Sequence, residues 1–254
     1  MKLTLIGAGP GDPDLITIKG ARALSRAKVV LYDALVHPGL LDLCPDDCLK
    51  IAVGKRGGKL SCKQDEINRL IYQYAREAGE VVRLKGGDPF IFGRGFEEME
   101  FAAKLGISCE FIPGISSALS VPGIAGIPLT LRGVSESFWV VTGTTKDHVL
   151  SADVGLAAQS TATVVILMGM QKLPEIVEIF RGYGKSDESI AIIQNGSLQE
   201  QTALKGKIHN ILHLAQEKQI GSPAIIVIGR VAELLRENAP NLKDYLTISA
   251  EESR

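Results

Sequence analysis

The chain has 254 residues, of which 45% are apolar and 22% charged, and its formal net charge at pH 7 is -1. This length and composition are ordinary for a globular protein with one large α/β domain or two smaller ones. The near-zero net charge argues against a general nucleic-acid-binding surface, which usually carries a clear basic excess.

The apolar runs in the chain have the length of strands. The longest, Val164–Met168 and Ala224–Ile228, are far too short to span a membrane. The first apolar run, Leu3–Ile6, follows the N-terminus directly, without the pattern of a signal peptide. We therefore expect a cytoplasmic protein with no membrane partner.

The cysteines do not form a metal-ligand or disulfide pattern. Cys44 and Cys48 could share one face of a helix, but two thiols alone make a poor metal site. Cys62 and Cys109 add no histidine partner. We expect reduced, structural cysteines and no bound metal.

The N-terminal strand, Lys2–Ile6, leads into the glycine-rich run Gly7–Pro13. A second strand, Val29–Asp33, ends on an acid, so the pair resembles a dinucleotide-binding fingerprint. The third glycine of that fingerprint is missing, because Asp12 stands in its place. The next helix is predicted to begin at Thr17, a plausible N-cap, and to extend to about Ala27. A nicotinamide-binding domain is therefore the weaker alternative.

Strands and helices alternate through the rest of the first half, which indicates a mainly parallel sheet with helices on both faces. The predicted strands and helices are Leu49–Val53, helix Lys63–Glu77, Val81–Lys85, helix Glu97–Leu105 and Ile107–Ile112.

The stretch Val81–Glu98 carries the strongest local signal. Its strand ends at Gly86-Gly87, where backbone can come close to a ligand. Asp88 and Pro89 then force a turn with a carboxylate at its apex. Loops at the ends of such strands are common ligand sites, although a plain turn would have the same residues.

The segment 114–135 is rich in glycine and proline and is predicted to link two lobes, 1–113 and 136–237. Its residues Ile115–Val121 suggest a short helix. Residues 238–254 form a polar tail. The second lobe is again α/β, with predicted strands Phe138–Thr142, Thr163–Met168, Ser189–Ile193, Gln201–Lys207 and Ala224–Ile228 and helices Leu173–Tyr183 and Ile208–Lys218. Asn195-Gly196 marks a turn.

Several motifs in this order resemble one family. They include GAGPGDP at Gly7–Pro13, YDALV from Tyr32, RLKGGDPFIFGRG from Arg83, PGISSA from Pro113 and GIPLT from Gly126. Together these motifs are similar to the uroporphyrinogen-III C-methyltransferases, a branch of the tetrapyrrole methyltransferases, from about residue 2 to residue 236. The resemblance implies two α/β/α lobes with the active site in the cleft between them, and a homodimer.

The resemblance also implies a reaction: S-adenosylmethionine methylates uroporphyrinogen III at C2 and C7 to give precorrin-2, a precursor of sirohaem and cobalamin. The product of the cofactor is S-adenosylhomocysteine. The family's cofactor contacts fall on Pro10, Gly86, Gly87, Asp88, Ile91, Ser116, Ser117, Met168 and Gly196, with Thr130 and Ala224 as further positions.

The resemblance places the proton acceptor at Asp33 and the proton donor at Lys55. A carboxylate at a strand end is suited to stabilise the cation formed by carbon methylation and to accept its proton. The polyanionic substrate needs cations in glycine- or proline-containing loops. The candidates are Arg56, Lys59, Arg94 and Arg132, beside Lys55 itself.

The chain departs from the family pattern at Leu131 and Thr144, where histidine is common, and at Phe96, where glycine is usual. Two alternative functions also stay open. One is a methyltransferase that acts on a later cobalamin precursor. The other is a nucleotide-binding module without catalysis, which would tolerate the loss of Asp33.

Overall fold

The computed structural model describes residues 1–54 and 64–235. Contacts divide the chain into two compact units, the first formed by 1–120 with 197–199 and the second by 121–196 with 200–254. This division falls inside the predicted linker 114–135. Three predicted site residues, Lys55, Arg56 and Lys59, lie outside the described residues, and so does the predicted tail.

The first unit contains a fully parallel five-stranded sheet in the order β3-β2-β4-β1-β5. In a parallel sheet, the carboxyl ends of all strands meet at one edge, and the loops that follow them cluster there. The strands are β1 (Lys2–Gly7), β2 (Val29–Tyr32), β3 (Leu49–Ala52), β4 (Glu80–Lys85) and β5 (Ser108–Ile112).

Helices cover both faces of this sheet, as the alternating pattern predicts. Ile6 and Leu84 pack on one face with α1, whereas Leu3 and Val81 pack on the other with α2 and α3. These helices are α1 (Ile18–Leu24), α2 (Gln64–Ala78) and α3 (Gly95–Lys104), with 3₁₀ turns at Pro13–Leu15 and Pro38–Leu43. The next helix, α4 (Ser117–Ile124), follows β5 in the chain. Alternation along β4 places Arg83 and Lys85 on the face of α2 and α3.

The second unit contains a mixed five-stranded sheet in the order β6-β7-β10-β8-β9. β6 and β7 are parallel, whereas β10 runs antiparallel to both β7 and β8. The strands are β6 (Phe138–Thr142), β7 (Thr163–Leu167), β8 (Ser189–Gln194), β9 (Thr202–Lys207) and β10 (Ala224–Ile228).

Three helices form one core with alternate residues of the second sheet, such as Val164, Ile192 and Ile226. They are α5 (Asp153–Gln159), α6 (Leu173–Gly182) and α7 (Ile211–Glu217), with 3₁₀ turns at Met170–Lys172 and Arg230–Leu234. In the part of the chain that is described, no helix is long and apolar enough to cross a membrane.

Most predicted elements are present, with errors at their ends. The N-cap at Thr17 is confirmed, since its hydroxyl accepts a hydrogen bond from Gly20 N at 3.1 Å. The following helix ends at Leu24, however, and not at Ala27. The helix predicted from Ile208 begins at Ile211, because residues 207–210 first form a turn closed by Asn210. α4 begins two residues after the predicted Ile115 and continues through Pro122.

Candidate active site

Three glycine-containing loops meet at the carboxyl edge of the first sheet. Gly9 and Gly87 exchange two backbone hydrogen bonds, with N···O distances of 3.2 and 2.7 Å. A Cβ on Gly7 would lie only 2.4 Å from Gly114 N, so a side chain at this position would collide with backbone. The loops after β1, β4 and β5 can approach this closely because glycine occupies the contact points.

The Asp88 carboxylate connects two of these loops through hydrogen bonds. Its Oδ1 accepts a hydrogen bond from Phe90 N at 2.8 Å, and its Oδ2 accepts one from Gly114 N at 3.2 Å. The carboxylate predicted to contact a ligand therefore has backbone partners from its own loop and from the loop after β5. These hydrogen bonds to Asp88 hold the two loops in place.

The start of α4 lies beside Gly87. A Cβ on Gly87 would be 3.9 Å from Ser117 N, with no nearer atom, so this glycine leaves open space over the helix start. Ser116 is buried and its hydroxyl accepts a hydrogen bond from Ala118 N at 3.3 Å. The predicted positions Gly87, Ser116 and Ser117 are thus brought together, although they are about thirty residues apart in the sequence.

Large apolar side chains are exposed around the glycine loops. Phe90 stacks on Phe111 with ring centroids 4.0 Å apart and contacts Phe96 edge-on. Ile91 and Leu35 are also exposed, and Leu35 Cβ lies 3.4 Å from where a Cβ on Gly86 would be. Exposed apolar residues gathered at one place indicate a surface that binds a ligand or a partner.

Arg94, one of the predicted substrate-binding cations, is paired on the surface with Glu97. Its Nη2 lies 2.6 Å from Glu97 Oε2, and both side chains are more than half exposed. Hydrogen bonds from Arg94 hold the pKa of Glu97 below its ordinary value. An exposed pair of this kind contributes little to stability, so another carboxylate could replace Glu97 at small cost.

Asp33 follows β2 at the same edge of the sheet and is held by two buried cations. Arg83 Nη2 donates a short hydrogen bond to Asp33 Oδ1, and Lys85 Nζ lies 3.5 Å from Oδ2. Arg83 and Lys85 are almost fully buried, whereas the Asp33 side chain is 28% exposed. The two cations hold the Asp33 carboxylate on its buried side, and part of the carboxylate stays accessible to solvent.

Glu98 completes this charged cluster from α3. It is fully buried, and its Oε1 accepts hydrogen bonds from Lys85 Nζ at 3.0 Å and from Gln64 Nε2 at 3.2 Å. Its Oε2 lies 3.2 Å from Arg83 Nε, although none of the described residues gives it a well-aligned hydrogen bond. We call Asp33, Arg83, Lys85 and Glu98 the buried charge cluster.

Three predicted cofactor positions lie together at one edge of the second sheet. Met168 directly follows β7, and Ala224 begins the antiparallel neighbour β10. Asn195 N, next to Gly196, donates a hydrogen bond to Pro223 O at 3.1 Å. Met168 has a φ of 55° and is exposed. Position 196 has no room for a side chain, since a Cβ there would lie 2.3 Å from a methyl carbon of Val121. This close packing explains why the residue is glycine.

The remaining predicted positions that the structure describes are Pro10, Thr130 and Arg132. Pro10 is half-buried directly after Gly9. Thr130 and Arg132 are exposed, on either side of Leu131, whose backbone pairs with Ser135. Thr144, where the family has histidine, donates a hydrogen bond to Met168 O at 2.9 Å.

A family model, described as the tetrapyrrole (corrin/porphyrin) methylases, matches residues 2–212. The chain is a tetrapyrrole methylase. This methylase is 46% identical over 236 residues to the uroporphyrinogen-III C-methyltransferase of Methanocaldococcus jannaschii, with 92% of this chain and 98% of the relative covered.

Longer relatives match over part of their length. The siroheme synthase of Photorhabdus laumondii is 45% identical over 234 residues, which cover 92% of the methylase but 49% of that relative. The methylase therefore spans about half of the siroheme synthases that it matches.

A solved structure supports the same assignment. The uroporphyrin-III C-methyltransferase of Thermus thermophilus, crystallised with S-adenyl homocysteine, superposes with a TM-score of 0.81 at 35% identity. The superposition covers 92% of the methylase and all of the other chain. The predicted fold class, a two-sheet α/β methylase of this family, is confirmed.

Most of the buried charge cluster of the methylase was not predicted. Val81–Lys85 was predicted as an apolar strand, although Arg83 and Lys85 alternate on one face within it. Two cations on the buried face of a central strand require buried anions nearby. That signal could have directed attention to Glu98, whose neighbour Glu97 is exposed.

Proposed function

We propose that this methylase transfers methyl groups from S-adenosylmethionine to C2 and C7 of uroporphyrinogen III and so makes precorrin-2 for sirohaem and cobalamin biosynthesis. The observation that carries the proposal is a partly accessible carboxylate, Asp33, fixed at the sheet edge that also bears the glycine loops. The full-length similarity to a uroporphyrinogen-III C-methyltransferase supports the choice of substrate.

The residues of the first unit fit a small cofactor with polar ends and an apolar body. Gly86 and Gly87 offer bare backbone, and the start of α4 presents Ser117 beside them. Ile91 supplies an exposed apolar surface. When bound, S-adenosylmethionine would supply an electrophilic methyl group. Pro10, Asp88 and Ser116 would hold it in the first unit, and Thr130, Met168, Gly196 and Ala224 stay predicted contacts from the second.

Asp33 is proposed to accept the proton that the methylated carbon framework must lose. Carbon methylation leaves a cationic tetrapyrrole, and a fixed carboxylate nearby both stabilises that cation and removes the proton from a bridge carbon. Arg83 and Lys85 prevent the carboxylate from rotating away, so the base is already oriented before the substrate arrives. Lys55 stays the proposed proton donor.

The substrate carries many carboxylates and needs basic groups around the site. Arg94 lies in the loop after β4, as Gly86 and Gly87 do, and its exposed pair with Glu97 can open for a substrate carboxylate. Arg132 is exposed in the second unit. Arg56 and Lys59 stay predictions.

The test of this function is incubation of the protein with uroporphyrinogen III and isotope-labelled S-adenosylmethionine, followed by mass spectrometry. We expect the tetrapyrrole to gain labelled methyl groups, first one and then a second. Gain of label on a later precorrin but none on uroporphyrinogen III would reject the proposed substrate. Cofactor binding without any turnover would reject the proposed reaction.

The cofactor loop has its own test, the substitution Gly87→Ala. We expect S-adenosylhomocysteine to bind at least about tenfold more weakly by calorimetry, a loss of about 1.4 kcal/mol, because the methyl group enters the space over Ser117.

The matched control for that substitution is Gly79→Ala. Gly79 also has a positive φ, +81° against +66° at Gly87, and lies in open space in the turn before β4. Both variants place a Cβ in the left-handed region and should lose a similar amount of stability, about 1–2 kcal/mol. Equal affinity of the two variants for S-adenosylhomocysteine would remove the cofactor role from Gly87.

We also propose that the enzyme acts in the cytoplasm as a homodimer, as the family resemblance implies. Light scattering coupled to gel filtration gives the mass in solution. A mass of one chain at micromolar concentration would reject the dimer.

A further inference from the structure

We propose that Glu98 is a positioning residue that sets the basicity of Asp33 through Lys85 and Arg83. The inference rests on the proposed role of Asp33 as proton acceptor and extends it to a residue that the substrate does not touch. Glu98 lies behind the two cations, fully buried in α3.

The first support is the way the two carboxylates share their cations. Lys85 Nζ lies 3.5 Å from Asp33 and 3.0 Å from Glu98, and Arg83 likewise contacts both acids. Each cation therefore pairs with both acids. A change of charge on one carboxylate alters the electrostatic energy of the other, because Arg83 and Lys85 lie between them and water screens buried charges weakly.

The second support is the charge balance of the cluster. With two cations and two carboxylates, its formal charge is zero. When Asp33 takes a proton, Glu98 is the one anion left beside the two cations, and the formal charge of the cluster becomes +1. Without Glu98, both positive charges would act on Asp33, hold its ionised form more strongly and make it a poorer proton acceptor.

The charged groups that face Asp33 come from more than one element. Arg83 and Lys85 project from β4, and Glu98 approaches from α3 behind them. Gln64 of α2 adds a neutral donor to Glu98. Among the described residues, the ion pairs of Asp33 are those with Arg83 and Lys85.

The proposal predicts opposite effects for two variants. Glu98→Gln removes the negative charge, so the NMR titration of Asp33 and the acidic limb of the kcat profile should both move to lower pH than in the wild type. Lys85→Met removes a positive charge and should move both to higher pH. A role in folding alone would lower activity without these opposite shifts.

The experiment uses the full chain labelled with ¹³C at aspartate carboxyls, titrated by NMR with Asp33→Asn to identify the resonance. The NMR titration needs no substrate, so its result is independent of the proposed reaction. The kcat profile with uroporphyrinogen III is measured on the same proteins. The double variant Lys85→Met/Glu98→Gln, which loses one charge of each sign, should titrate close to the wild type.

Titration of Asp33 at an unchanged pH in Glu98→Gln, or a shift in the same direction in both single variants, would overturn the proposal. If either single variant fails to fold, the comparison of the double variant with the remaining one decides by the same criterion. Wild-type protein that shows no methyl transfer would instead reject the proposed function, while the NMR titration would still test the coupling.

Discussion

Asp33→Asn should lower kcat for methyl transfer to uroporphyrinogen III by about 10²- to 10⁴-fold, the usual contribution of a general base. Asparagine has the same shape but cannot accept the proton. Binding of S-adenosylhomocysteine should persist within about threefold, because the glycine loops are held by their own hydrogen bonds and not by Asp33. Steady-state kinetics and calorimetry measure the two quantities.

The control is Asp42→Asn, which changes an exposed acid of the same unit. This variant should keep wild-type kcat. Thermal unfolding of both variants shows whether a loss of activity follows from a loss of structure. Near-normal turnover in folded Asp33→Asn would contradict the proposed role of Asp33 and assign the proton transfer to another group.

Glu98→Ala should destabilise the first unit by about 3–5 kcal/mol, because it strands Arg83 and Lys85 as buried cations without their shared anion. The neighbouring substitution Glu97→Ala removes a residue of the same type from the same helix, also paired with an arginine. It should cost less than about 1 kcal/mol, because that pair is exposed.

Urea denaturation of the two variants, followed by far-ultraviolet circular dichroism, measures this difference. The two variants match in residue type, in helix and in having an arginine partner, and they differ in burial and in the second cation, Lys85, that Glu98 contacts. Similar losses in both variants would contradict the expected cost of leaving Arg83 and Lys85 without their shared anion. The order of the two losses is therefore the informative result.

The local parts of the fold could be predicted from the sequence with little error. β6 and β10 have the predicted bounds, and the N-cap at Thr17 was identified from residue type. Helix ends were less accurate, as at Leu24 and Ile211, because they depend on where the chain next packs. α5 was not named, because its buried face consists of Val154, Ala157 and Ala158, and small side chains give a weak apolar pattern.

In the candidate site too, features fixed by nearby residues were predicted, and contacts between distant residues were not. Its glycines were found because backbone that comes close to backbone requires them wherever the chain folds, as at Gly7 and Gly87. The hydrogen bond from Gly114 N to Asp88 was not predicted, since Gly114 is 26 residues away in the sequence. The exposed pair of Arg94 with Glu97 was not predicted, although residues three apart at a helix start are neighbours on its surface.

The sequence by itself determined the alternation of strands and helices, the glycine-lined loops and the resemblance to the methylase family, because each depends on residues close together in the chain. The tertiary structure alone decided which charges meet. Arg83 contacts Asp33 across 50 positions and Glu98 across 15. The register of β2 with β4 and the packing of α3 bring these side chains together, since buried charges persist only where folding supplies their counter-ions.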